Sequence, residues 1–185
     1  VDAPVAASCA AAARNLAALG HRVEEGAMPV DLALFDRHWP VLTASGLYWL
    51  LRDRDWRGRI GAIYEEMMDQ AAGFTVADYI EALNAFREVQ AQFAVAFRSW
   101  DVIVTPSAGA LPWDATQFGP PHHRAFTGIV NAGGLPGLNL PVDPSPDGLP
   151  IGVQLIGSFG ADWRLIALAR QYEAAHPWAH RWPSL

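Results

Sequence analysis

Lysine is missing altogether: the 13 basic side chains of this 185-residue chain are all arginine. A guanidinium keeps its proton at any pH a protein meets. No side chain here can therefore act as an amine base near neutrality. Cysteine is nearly absent too. Cys9 alone allows neither an intrachain disulfide nor a cysteine-rich zinc site. It lies in an apolar helical pattern, which points to burial. No apolar run approaches the roughly 18 residues a membrane-spanning helix needs. No charged segment followed by an apolar one marks a signal peptide, so a cytoplasmic location is expected. Basic runs are scarce, and 19 acidic groups leave a net charge of -6, which argues against a nucleic-acid partner.

Catalytic and cofactor motifs are missing as well. None of the serines lies in G-x-S-x-G; Ser158, in Gly157-Ser158-Phe159-Gly160, is one residue out of that spacing. His122-His123 has no H-E-x-x-H context, so no metal site is expected. Asn131–Gly134 and Gly157–Gly160 are short glycine turns without a phosphate-binding pattern, and no cofactor is expected. Asp101, Asp114, Asp143 and Asp147 flank loops without forming a spaced carboxylate pair.

What is present suffices for a folded core. Apolar residues make up 51% of the chain, with 8 Trp and 8 Phe. Asp2 and Pro4 open a helix with Val5, Cys9, Ala12, Leu16 and Leu19 on one face, stopped by Gly20. His21–Glu25 reads as a short strand centred on Val23. Helix, glycine and strand make half of an α/β unit, whose other strand is expected before residue 1. Asp31–Leu51 is expected to be helical with a kink or break at Pro40. The charge run Arg52–Arg59 reads as a solvated turn, and Ile60–Ala72 as a helix with Ile63, Met67 and Met68 inward.

Thr75 and Asp78 form a capping box. It opens the longest helix, Val76–Arg98, whose inward side is read as Val76, Ile80, Leu83, Phe86, Val89, Phe93 and Phe97. Asp101–Thr105 reads as a strand ended by Pro106, followed by a proline-rich loop to Pro121 and a short helix over 122–130. Gly137–Val142 and Ile151–Gly157 read as two strands joined by an irregular link. Asp162 caps a final helix, Trp163–Ala175, and the tail HPWAHRWPSL is expected to pack over a surface. Short strands alternating with longer helices give an α/β class and a single domain over 1–185.

The stretches DVIVTPS, FTGIVNAGGLPGLNLPV and DGLPIGVQLIG occur in that order. Together they resemble the C-terminal part of the amidase signature family. VDAPVAASCAAAARNLAALGHRVEE resembles the family's helix and strand after the catalytic core, and ADWRLIALARQYEAAHPW its final helix. The resemblance implies a partial amidase-signature fold, with short mixed-sheet strands and covering helices. Relatives use a serine nucleophile, a second serine in a cis peptide and a lysine base, all in an N-terminal half. No such segment is present, so no catalytic residue carries over.

What the resemblance implies here is a scaffold and pocket wall, with Trp113, Phe126, Asn131, Gly133 and Gly134 as substrate-pocket candidates. The implied function is the structural and pocket-forming portion of an amide hydrolase, inactive alone. Its partner is an N-terminal amidase half in cis or trans, within a homodimer or heteromer, and a small amide is substrate only when the enzyme is completed. The alternative is a non-enzymatic, partner-binding remnant of an amidase.

Overall fold

The computed structural model describes residues 1–117 and 119–181. The element order is α1 (Ala3–Ala18), α2 (Leu32–Leu51), α3 (Ala62–Ala71), α4 (Val76–Ala96), β1 (Val102–Pro106), a 3-10 turn (Pro121–Arg124), α5 (Thr127–Gly133), β2 (Gly137–Pro141), β3 (Gly152–Gly157) and α6 (Asp162–Ala175). The chain divides into two compact units. One is Val1–Ala27 with Ala94–Leu185; the other is Met28–Phe93.

The first unit is built on an antiparallel sheet ordered β1-β3-β2. Val104 and Leu138 both oppose Leu155, while Thr105 and Asn139 both oppose Gln154. Alternation then sorts the side chains. Leu140, Val153 and Leu155 join Val5, Ala12 and Leu16 of α1 and Leu165, Ala169 and Tyr172 of α6 in one buried cluster. Gln154 and Ile156 point to the other face. Both outer strands end on a proline, Pro106 opposite Val153 and Pro141 opposite Gly152, at the same end of the sheet.

Helix α1 ends as its sequence dictates. Gly20 takes φ 96°, and the N–H groups of Gly20 and His21 bond the carbonyls of Ala17 and Leu16 at 3.0 and 3.3 Å. This double bond is a Schellman cap, which favours glycine at the left-handed position. Its start differs from expectation. Asp2 stands at the N-cap position, but its carboxylate bonds outside its own helix. Asp162 likewise falls inside the first turn of α6, after Ala161, and makes no side-chain cap.

His21–Glu25 is exposed and forms no strand, correcting the sequence expectation. Strand pairs stabilise one another, and no described strand pairs with this segment. Arg22 instead lies over the Trp100 ring, 5.4 Å from its centre. Of the C-terminal tail, Arg181 reaches back to the Val142 carbonyl at 2.8 Å and to Asp143 at 3.2 Å. The last four residues lie outside the described set.

In the second unit, Asp31 caps α2 by accepting the Leu34 N–H at 3.0 Å. The helix runs unbroken through Pro40. Proline leaves the Asp36 carbonyl without its intrahelical donor, yet both residues are exposed and water can serve that oxygen. Phe35, Trp39 and Phe86 form an aromatic cluster with ring centres 5.1 to 6.2 Å apart. The capping box at α4 forms as read: Asp78 accepts the Thr75 N–H at 2.7 Å, and Thr75 accepts the Asp78 N–H at 3.2 Å.

The apolar stripe of α4 is buried only in part. Ala82, Ala85, Phe86, Val89 and Phe93 are inside, while Val76 is 76% exposed and Ile80 50% exposed. Ile63 of α3 and Ile166 of α6 are also exposed. Periodicity identifies the apolar side of a helix but not how much of its length meets a neighbour.

Candidate functional site

The sheet face that carries Gln154 is built from polar groups in otherwise apolar strands. Gln154 is 3% exposed. Its Nε2 donates to Thr105 Oγ1 at 3.3 Å and to the Phe126 carbonyl at 3.2 Å. A carbonyl can only accept, so these partners fix which end of the amide is nitrogen. One side chain thereby ties the middle strand to β1 and to the residue preceding α5. Nearby, Ser107 donates to Asn139 Oδ1 at 2.8 Å. A Cβ at Gly152 would lie 2.9 Å from Ser107 Oγ, so glycine there leaves room for this bond to cross β3.

Four of the five sequence candidates gather on α5. Phe126 precedes the helix, is half-buried and offers its carbonyl to Gln154. Asn131 is exposed near the helix end, and Gly133 is buried. Gly134 closes the helix at φ 63°, with its N–H on the Asn131 carbonyl and the Leu135 N–H on the Val130 carbonyl. This second Schellman cap gives Gly134 a structural reason of its own. Trp113 lies in the proline-rich loop, partly exposed. Its ring centre is 4.8 Å from that of His123, and the Gly119 backbone packs so closely that a Cβ there would clash with the indole.

That loop is tethered through Asp2. Its backbone N–H donates to the Gly109 carbonyl at 2.8 Å. Its carboxylate accepts the Leu111 N–H at 2.9 Å and meets His122 Nε2 at 3.0 Å. The Leu111 bond first, and His122 second, hold this carboxyl below the usual aspartate range. His123 Nδ1 lies 2.6 Å from the Pro120 carbonyl. Both histidines therefore have protein partners. Among the described residues, no three metal-ligating side chains cluster. Burial raises the Cys9 thiol above its ordinary pKa, which disfavours the reactive thiolate.

Sequence reasoning missed Gln154, Ser107 and Asn139. The signal was available in Gln154, one polar residue in the apolar run IGVQLIG, since a buried strand amide must find partners. Ser107 and Asn139 are joined across 32 residues, and no local pattern marks such a pair.

Comparison with known proteins places this geometry in context. A family model described as Amidase matches residues 1–166. The A subunit of glutamyl-tRNA(Gln) amidotransferase from Ectopseudomonas mendocina (strain ymp) is 34% identical over 119 residues, covering 62% of this chain and 24% of that protein. A solved structure of 6-aminohexanoate cyclic dimer hydrolase aligns with TM-score 0.81 at 26% identity, covering all of this chain and 44% of that one. The A subunit of the Thermotoga maritima glutamyl-tRNA(Gln) amidotransferase aligns with TM-score 0.69 at 22% identity, over 96% of this chain and 40% of that one. This last likeness bears on fold alone. The chain spans about a quarter of the length of the curated relatives it matches.

Proposed function

The chain belongs to the Amidase family, the amidase signature family, and from that premise we propose that it is the C-terminal, pocket-forming portion of an amide hydrolase. The observation that carries this reading is a pairing: a family match over residues 1–166 in a chain without a single lysine. The α/β scaffold is here, but the proton-transfer amine of the family's mechanism is not. In the completed enzyme a serine and a lysine from another segment, in cis or in trans, would cleave the amide through an acyl-serine intermediate. Residues 1–185 then act as part of one domain.

The role left to this chain is positioning. Gln154 holds the start of α5 against the sheet, and Asp2 holds the loop that presents Trp113. Phe126, Asn131, Gly133 and Gly134 would then line the amide pocket with Trp113. Among the described residues no helix is long and apolar enough to cross a membrane. A cytoplasmic location, with neither nucleic acid nor membrane as partner, belongs to the same proposal.

The test is complementation. The chain alone is expected to hydrolyse amides no faster than blank. Co-expressed with the N-terminal half of 6-aminohexanoate cyclic dimer hydrolase, it is expected to co-purify and to turn over a linear amide. Activity of the isolated chain that survives repurification would overturn the reading.

A second reading is a non-enzymatic partner-binding protein. It is favoured by the exposed apolar side chains Trp49, Leu50, Val76 and Ile80. Both readings propose a homodimer or heteromer. A light-scattering mass of one chain at micromolar concentration, with no binding of an apolar dye, contradicts that shared expectation.

A further inference from the structure

The two histidines of the 3-10 turn are committed in opposite senses. His122 meets the Asp2 carboxylate through Nε2 at 3.0 Å, so its outer nitrogen is spent on the tether. His123 turns its inner nitrogen to the protein. Its Nδ1 lies 2.6 Å from the Pro120 carbonyl, which can only accept. In the neutral ring the proton therefore sits on Nδ1, and Nε2 carries the lone pair. That Nε2 has no hydrogen-bond partner among the described residues and is not sealed from solvent, although His123 is half-buried. The main chain fixes the residue further. The His123 N–H donates to the same Pro120 carbonyl at 3.0 Å, and its own carbonyl accepts the Gly109 N–H at 3.1 Å.

Beside this lone pair stands an aromatic surface. The Trp113 ring lies 4.8 Å from the imidazole, centre to centre, and is tilted by 59°. The Gly119 backbone abuts the benzo edge of the indole, yet Trp113 remains 41% exposed. A lone pair calls for a hydrogen-bond donor, and a ring surface for a flat or apolar group. The carboxylates of the loop and its tether do not favour a cation. Asp2 is used by Leu111 and His122, and Asp114 accepts from the Thr116 N–H and hydroxyl at 2.8 and 2.6 Å. An ammonium ion leaving water needs a charged partner, whereas a neutral amide needs only an acceptor. We infer that His123 Nε2 accepts the N–H of a neutral substrate amide whose flat or apolar substituent lies on Trp113. His123 then selects primary and secondary amides over esters and tertiary amides, which lack that N–H. The inference rests on the pocket proposed above.

The test titrates the full chain at about pH 8.5, above the usual imidazole range. The probes are benzamide, methyl benzoate, which keeps the ring and carbonyl but has no N–H, and benzylammonium. Benzamide is expected to bind about fivefold more tightly than methyl benzoate, as one neutral hydrogen bond implies. It should also move the His123 Nε2 nitrogen resonance upfield and shift the Trp113 indole signals. His123→Asn keeps an amide donor within reach of the Pro120 carbonyl while removing the outer acceptor. That variant is expected to retain the natural Tm and to bind benzamide and methyl benzoate equally. Equal binding of those two probes by the natural chain, or an Nε2 resonance unmoved by benzamide, overturns the inference. Tighter binding of benzylammonium than of benzamide overturns it as well. None of these measurements uses the catalytic half, so each leaves the pocket-forming role to the complementation test. Failed complementation with the Nε2 shift intact would strike the hydrolase reading and not the amide contact.

Discussion

The two compact units are held together by different means. In the unit of Val1–Ala27 and Ala94–Leu185, a sheet is stitched to its surroundings by long-range polar bonds from Gln154, Ser107, Asp2 and Arg181. In Met28–Phe93, an apolar and aromatic cluster provides the packing, and its polar links, such as Arg57 with Asp69 and Asp31 with Gln92, lie in the open. Packing contacts tolerate repositioning by a fraction of an ångström, whereas a buried amide must find its partners at hydrogen-bond distance. The first unit is thus built for exact placement. The second relies on packing, and both leave apolar side chains bare: Trp49 is 68% exposed in the second unit and Phe159 89% exposed in the first.

The contrast can be broken at several points. The largest effect is expected from paired truncations. Phe86→Ala should cost about 3–5 kcal/mol and Leu155→Ala about 2–5 kcal/mol in denaturant unfolding. Amide exchange should localise each loss, Phe86→Ala to α2–α4 and Leu155→Ala to β3, α1 and α6. Uniform loss across the chain in either variant would show that the units do not respond separately.

Next in size is the polar stitch itself. Gln154→Leu orphans the Phe126 carbonyl and should cost about 1–3 kcal/mol. Gln92→Leu, which removes an exposed bond in the other unit, should stay within about 0.5 kcal/mol. Equal losses for the two would erase the distinction drawn above.

Acid should act on the tether at Asp2. Its folded-state pKa is depressed, so its stabilisation is present above the ordinary aspartate range and is lost as pH falls through the lower folded value. Asp2→Asn should therefore be less stable than the natural chain near neutrality. The gap should close below about pH 4, the ordinary aspartate value. A gap that widens in acid would mean that the carboxylate is not what holds the loop. The smallest effect on stability belongs to the exposed α4 stripe. Val76→Ser with Ile80→Ser should change stability by about 0.5 kcal/mol or less. The same change should reduce self-association seen by light scattering, if that stripe is a contact surface.

Local chemistry made most elements legible in the chain itself. Gly20, Asp31 and the Thr75–Asp78 box act within a few residues of where they stand, and each does what its type predicts. The α/β class followed from alternating periods, and the family from the order of three motifs. Elements that depend on a distant neighbour were misread. Val23 has the composition of a strand residue but no strand beside it. Val76 and Ile80 continue a correct helical stripe beyond the point where anything covers it. Asp2 has the right residue type for an N-cap and is used by Leu111, 109 positions away. The Gln154 network was unreadable for the same reason, since its partners lie 28 and 49 positions off.

Pro106 and Pro141 have a further consequence. Hydrogen bonding along the ladder turns the backbone of both residues outward, away from β3. Neither has an N–H to offer a neighbour. The two outer strands therefore stop recruiting at the same level, as if a line were drawn across the sheet. Any strand joining on either flank would have to take its register from the end where Val102 and Gly137 begin. The growth of this sheet has a polarity, and its two flanks share it.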